Sequence, residues 1–207
     1  MAIIKSGASY DHLTVANNAF RATQYTTIGR PILRQGTATF LVSALFTSPA
    51  TPTDMIEIAG SAAKVVRVYS ILLGATNTAA GSQQFLLLKR SSKNTGGTFI
   101  MPSVLCLDSQ DTATAIAGHY TANPTVGQIV GNINIVRWAS PLAAPGAFAG
   151  VVRDAGRELM PWGSGSLLDK SVTLRGPDQI LAVNFNGATL VAGQTHTYRI
   201  IWTESDI

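Results

Sequence analysis

The sequence predicts an all-β protein, a jelly-roll-like β-sandwich of residues 37–207 preceded by an extended N-terminal arm, residues 1–36. Three observations lead there. No segment of 12 or more residues carries helical periodicity. Apolar residues come instead in short runs or strict alternation, each closed by Gly, Pro, Asn or Ser about every 8–12 residues. The run Phe85–Leu88, followed by Lys89 and Arg90, is apolar on both alternating faces, as expected of a strand covered on both sides. About eight to ten such strands suit a sandwich, and a jelly roll is the sandwich that this number favours.

Along the arm, Tyr10, Phe20 and Tyr25 are spaced singly with Arg21, Arg30 and Arg34 near them, and Pro31 and Gly36 close it. Spaced aromatic anchors in a polar segment fit an arm ordered by a neighbour, with a disordered tail or an added strand as the alternative, and these six residues are the arm's expected partner contacts. Thr37–Phe46 opens the strand pattern, and Pro49 and Pro52 break it because each removes a backbone donor. Met55–Ala59 is a short strand. Lys64–Leu73 follows, with Val66, Val68 and Leu72 expected on one face and Val65, Tyr69, Ile71 and Leu73 on the other. In the central run, Phe85, Leu87 and Lys89 face opposite Leu86, Leu88 and Arg90. The segment Phe99–Tyr120 has no clear period. Ile129–Trp138 alternates as a half-buried strand, with Asn132, Asn134 and Trp138 expected on one face. Ile180–Phe185 places Leu181, Val183 and Phe185 together, Asn186-Gly187 supplies a turn, and Tyr198, Ile200 and Trp202 share a face of the closing strand.

Composition narrows the function. The chain is 46% hydrophobic but only 13% charged, where ordinary domains carry about 25% charged residues. A surface so poor in charge suits contact with other protein, or else a stable all-β monomer with a neutral surface. The net charge of +4 is small and scattered, which gives no electrostatic footprint for nucleic acid. A lone cysteine, Cys106, allows no internal disulfide and, set among Val104, Leu105 and Leu107, is expected in the core. The opening Met-Ala-Ile-Ile-Lys-Ser-Gly has no signal-peptide apolar stretch, and no run approaches the ~20 apolar residues of a membrane span. The expectation is a soluble protein made in a cytoplasm.

Catalytic and metal chemistry find little purchase. His12, His119 and His196 are far apart in sequence, without metal-ligand spacing, and His196 is expected to be exposed after a turn. Asp108 and Asp111 lack the Gly and Glu of a calcium loop. Asp154 and Glu158 are two carboxylates near Arg153 and Arg157, read as solvated in preference to a glycosidase pair. Gly163-Ser-Gly-Ser166 is neither a phosphate loop nor a nucleophile elbow. Lys89, Arg90 and Lys93 read as a solvated rim. No cofactor, metal or catalytic residue is assigned.

Several stretches, taken together, carry a resemblance. They are Lys64-Val-Val-Arg-Val68, Leu88-Lys-Arg-Ser-Ser-Lys-Asn-Thr-Gly-Gly-Thr98, Tyr120-Thr-Ala-Asn-Pro-Thr-Val-Gly127, Leu174-Arg-Gly176, Leu181-Ala-Val-Asn184 and Trp202-Thr-Glu204. In order and spacing, over residues 54–204, the chain resembles structural proteins encoded beside capsid and tail genes in tailed bacteriophages and prophages. Where such proteins tend to have Pro-His-Asp-Ser, this chain has Leu105-Cys-Leu-Asp-Ser109. The resemblance implies β-sandwich building blocks of virions.

The expected function is therefore a non-enzymatic virion structural protein, foremost a capsid decoration or cement protein. It is expected to form a homo-oligomer, a trimer on the resemblance, with Asn132, Asn134 and Trp138 at the interface, and to bind the major capsid protein or other virion proteins. A tail, baseplate or collar component is the alternative within that class. From other classes come a carbohydrate-binding attachment module, for which Trp162 is the candidate, and a glycan-cleaving enzyme using Asp154 or Glu158.

Overall fold

The computed structural model describes residues 4–6, 9–11, 38–77, 79, 81–107, 111–140, 152–153, 157–160, 171–191 and 193–207. The chain divides into two units, Met1–Gly36 and Thr37–Ile207. The first contains a hairpin that the sequence did not announce, β1 (Ile4–Ser6) antiparallel to β2 (Ser9–Asp11), with Ile4 opposite Asp11. Tyr10 stands in β2; Phe20, Arg21, Tyr25, Arg30 and Arg34 lie outside the described residues.

The second unit is a two-sheet sandwich without helix among the described residues. In chain order its strands are β3 (Ala38–Phe46), β4 (Asp54–Ala59), β5 (Lys64–Asn77), β6 (Gly81–Arg90), β7 (Thr98–Ile100), β8 (Leu105–Cys106), β9 (Ile116–Ala122), β10 (Ile129–Ser140), β11 (Val152–Arg153), β12 (Arg157–Glu158), β13 (Val172–Arg175), β14 (Ile180–Asn184) and β15 (Thr195–Asp206). One sheet runs β10-β6-β14-β4-β9-β7, the other β11-β5-β15-β3-β8, with β12 and β13 also paired to β5. The long strands pair in a nested way. β3 pairs with β15, β4 with β14, β5 with β13 and β6 with β10, each antiparallel, so the first half of the chain is matched in reverse by the second.

The core lies between the sheets. Phe40, Val42, Val66, Val68, Ile71, Phe85, Leu87, Leu181, Val183, Phe185, Tyr198, Ile200 and Trp202 are all buried in one cluster. Each large side chain removed from water in this way contributes roughly 1.5–3 kcal/mol before entropy is counted. Behind the six-stranded sheet a smaller buried cluster joins Ala59, Leu88, Ile180 and Ala182 with Leu86 packed on it. Strand β6 is therefore apolar on both sides, as its sequence pattern requires. Asn186 and Gly187 turn the chain after β14 with φ of 59° and 62°, the left-handed region that Asn and Gly tolerate.

Two expected face assignments are overturned by bulges. In β5, Trp202 pairs with Val68 but Ile201 pairs with Ser70, which leaves Tyr69 as an extra residue. Past it the alternation reverses, so Val66 and Val68 share the core with Ile71 and Leu73, while Leu72 is only half-buried. In β10, Asn132 pairs with Leu88 and Asn134 with Leu87, with Ile133 extra. Leu87 is a core residue and Leu88 belongs to the outer cluster, so Asn132 and Asn134 are aligned with opposite faces. A single inserted residue is enough, because the side-chain period of a strand is two.

Candidate functional site

The most developed polar site joins Asp54 and Asn184, paired where β4 begins and β14 ends, to Arg90, the last residue of β6, whose backbone pairs with the other end of β14 at Ile180. Asp54, fully buried, accepts from Arg90 Nε at 2.6 Å, Arg90 Nη2 at 3.0 Å, Asn94 Nδ2 at 2.9 Å and Asn184 Nδ2 at 2.6 Å. Arg90 Nη1 donates to the Gly127 carbonyl at 2.6 Å, and Gly127 N–H donates to Asn94 Oδ1 at 2.8 Å. The β6–β7 and β9–β10 loops are thereby tied to one another, and Thr95 and Thr125 exchange two further backbone bonds of 2.9 and 2.7 Å. Gly127 is required here: a Cβ on it would stand 2.1 Å from the Ser92 carbonyl oxygen. Asn94 Nδ2 also reaches Glu57 Oε2 at 2.8 Å, and the Tyr120 hydroxyl donates to the same oxygen at 3.1 Å. Burial pushes the Glu57 carboxyl up to about 7, partly offset by these donors, and burial beside Glu57 raises the Tyr120 phenol.

This arrangement corrects the expectation of a solvated basic rim at Lys89, Arg90 and Lys93. Lys93 is exposed, but Arg90 is 5% exposed and committed to Asp54. Lys89 donates to the Thr173 carbonyl at 2.8 Å, and burial lowers its pKa.

Two further carboxylates serve the fold. Glu204 accepts from the Thr114 backbone N–H at 3.0 and 2.9 Å, from Thr114 Oγ1 at 2.5 Å, from the Ala115 N–H at 2.9 Å and from Trp202 Nε1 at 3.0 Å. It therefore fastens the segment leading into β9 to the C-terminal end of β15. Glu158, one of the two carboxylates weighed for glycan chemistry, accepts from Ser70 Oγ at 2.5 Å and from the N–H groups of Ile71 and Met160 at 2.9 and 3.1 Å. It is not a solvated side chain but a clamp between β5 and β12. Its companion Asp154 lies outside the described residues, as do Trp162, Gly163–Ser166 and Asp108; Asp111 is exposed.

The histidines are closer than their sequence positions suggest. Phe46 lies between two of them, with ring centroids 4.8 Å from His119 and 5.4 Å from His196. The expected exposure of His196 is wrong: it is fully buried, also packed against Phe85 and Phe185, and neither ring nitrogen has a hydrogen-bond partner. Burial drops its pKa to about 4. His119 Nδ1 is 3.2 Å from the Tyr198 hydroxyl, and burial lowers its pKa too. His12 lies outside the described residues. Among the described residues, no group of three or more His, Cys, Asp and Glu is placed to hold a metal ion.

The residues expected at an oligomer interface do not form one surface. Trp138 is buried against Phe85, Asn134 donates to the Leu159 carbonyl at 2.8 Å, and only Asn132 is exposed. Beside them runs an open groove of about 520 Å³ lined by Asn134, Ile135, Val136, Arg137, Arg157, Glu158 and Met160. Cys106 is half-buried and packs on the core from the edge strand β8, near its expected position. No helix among the described residues is long and apolar enough to cross a membrane.

Sequence reasoning missed Asp54, Glu57 and Glu204. A signal was present for the first two. They are carboxylates three residues apart in the run Asp54-Met-Ile-Glu-Ile-Ala59, where every position is buried. A charge in such a strand must find a partner, since an unpaired buried charge is too costly to keep. No protein-family model, curated protein or solved structure matches the chain.

Proposed function

We propose that the chain is a structural protein of a bacteriophage virion, foremost a decoration or cement protein of the capsid, acting as a building block and not as an enzyme. The observation that carries this reading is where the resembling stretches meet. Arg90 and Asn94 from one and Asn184 from another converge on Asp54, Gly127 from a third bonds both Arg90 and Asn94, and Trp202 and Glu204 from a fourth hold the start of β9. Residues of the resembling stretches are spent here on locking loops to sheets, which suits a virion component that must stay folded under load. The nested pairing of β3, β4, β5 and β6 with β15, β14, β13 and β10 supports reading the sandwich as a jelly roll. A closed homotrimer attached through the arm is the assembly implied by the resemblance and by the low charge.

Imaging of intact virions labelled with an antibody to this chain tests the reading. Label over the capsid lattice is expected. Label confined to tail, baseplate or collar keeps the structural class but moves the location, and particles without the protein remove the virion reading.

A further inference from the structure

We propose that the segment Ile100–Leu107 is the surface through which copies of this chain meet, an inference that rests on the homo-oligomer in the proposed function and assigns its contact. The segment leaves β7, the edge of one sheet, and enters β8, the edge of the other, so it spans the open side of the sandwich. From Thr98 to Leu107 there is no charged residue. Ile100 is 43% exposed, Met101 66%, Val104 37%, Leu105 58% and Leu107 50%. Five of the twelve exposed large hydrophobic residues in the described structure therefore fall within eight consecutive positions, whereas isolated exposed hydrophobics are ordinary. Together they show on the order of 500 Å² of apolar surface, near the top for a patch on a monomer and most of the ~800 Å² per partner in a standard interface.

The opposite edge supplies the contrast. Strand β10 also exposes Ile129, Val130 and Ile135, but it carries two register shifts and an exposed Arg137. Bulges and charges are the devices that keep an edge from pairing with another chain. Between Thr98 and Leu107 the β7–β8 side has only Pro102 and a one-residue shift between Thr98 and Phe99, before the exposed run begins. An uncharged segment gives no electrostatic selection for a different partner. Placed near a rotation axis, it meets its own copies, which satisfies both apolar faces at once.

Light scattering on the full-length protein at about 10 µM, with Leu105→Lys and Met101→Glu beside it, tests the assignment, with melting curves to check that each variant folds. The wild type is expected to be oligomeric and Leu105→Lys to associate at least tenfold more weakly. Should Leu105→Lys fail to fold, Met101→Glu, at the most exposed side chain of the segment, carries the test. Folded variants that assemble as the wild type does would overturn this interface while leaving the oligomer standing. A monomeric wild type would overturn both. A monomeric wild type whose binding to virions is lost in Leu105→Lys would show a different virion protein as the occupant, and would overturn a second copy in that place.

Discussion

Arg90 and Asp54 form a two-point ion pair inside the protein, Nε to Oδ2 at 2.6 Å and Nη2 to Oδ1 at 3.0 Å, with side chains 6% and 0% exposed. The two residues are 36 positions apart in sequence, and their bond joins β4 to the end of β6 across β14. Removing one partner of such a pair leaves an uncompensated buried charge, which costs about 3–5 kcal/mol. Arg90→Met is expected near the lower end of that range, because Asn94 and Asn184 still donate to Asp54. Urea unfolding measures it. A loss below about 1 kcal/mol would mean that the two amides alone hold the carboxylate.

Glu57 makes stability depend on pH in one direction. Its folded pKa of about 7 lies above the ordinary 4.5, so the unfolded chain releases this proton first as pH rises. The stabilising contribution is whole below about pH 4.5, is lost as pH climbs through about 7, and then levels off. At ~1.4 kcal/mol per pH unit the total is on the order of 3 kcal/mol. Asp54 beside it works against ionisation and Arg90 for it, while Asn94 and Tyr120 donate to the oxygen that would carry the charge. Glu57→Gln stays neutral throughout. Relative to that variant, the wild type is expected to lose stability between pH 5 and 7; parallel profiles would place Glu57 at an ordinary pKa.

His196 works in the opposite sense. Its folded pKa of about 4 is below the ordinary 6.5, so the unfolded chain takes up the proton first. That contribution is whole above about pH 6.5 and is lost as pH falls through about 4. Between pH 4.5 and 6.5 the two residues offset each other, and the wild-type profile is expected to look flat there. His196→Leu, close in volume and without the two unpartnered nitrogens, should keep stability at pH 7 within about 1.5 kcal/mol. It should also uncover the slope due to Glu57. A profile unchanged by the substitution would place His196 at an ordinary pKa in the folded protein.

These residues also mark how far the sequence could be read. β15 was legible because it pairs with β3 without a register shift, so Tyr198, Ile200 and Trp202 keep strict alternation into the core. β5 and β10 were legible as strands but not in their faces, since Tyr69 and Ile133 reverse the period and no propensity marks a bulge. Arg90 and His196 misled for a different reason. Each sits beside turn residues, where exposure is the ordinary outcome, and each is buried by something remote in sequence: Asp54 for the first, Phe46 and Phe85 for the second. Local pattern decides which residues form strands; burial of a polar residue depends on long-range pairing that it does not encode.

The bulge in β10 separates two asparagines that are otherwise alike, which allows a matched substitution test. Asn132 is exposed, so Asn132→Arg should change stability by no more than about 0.5 kcal/mol. Asn134 is half-buried and donates to the Leu159 carbonyl at 2.8 Å, in a groove that already holds Arg137 and Arg157. Asn134→Arg removes that bond and brings a third guanidinium into the groove, with an expected cost of about 1–3 kcal/mol. Neither residue belongs to the Ile100–Leu107 segment, so both variants should keep the wild-type mass in light scattering whenever they are folded. Equal costs in urea would mean that Ile133 does not reverse the strand. A folded Asn132→Arg that no longer assembles would return the interface to β10, since an arginine tolerated by a solvated face disrupts only a covered one.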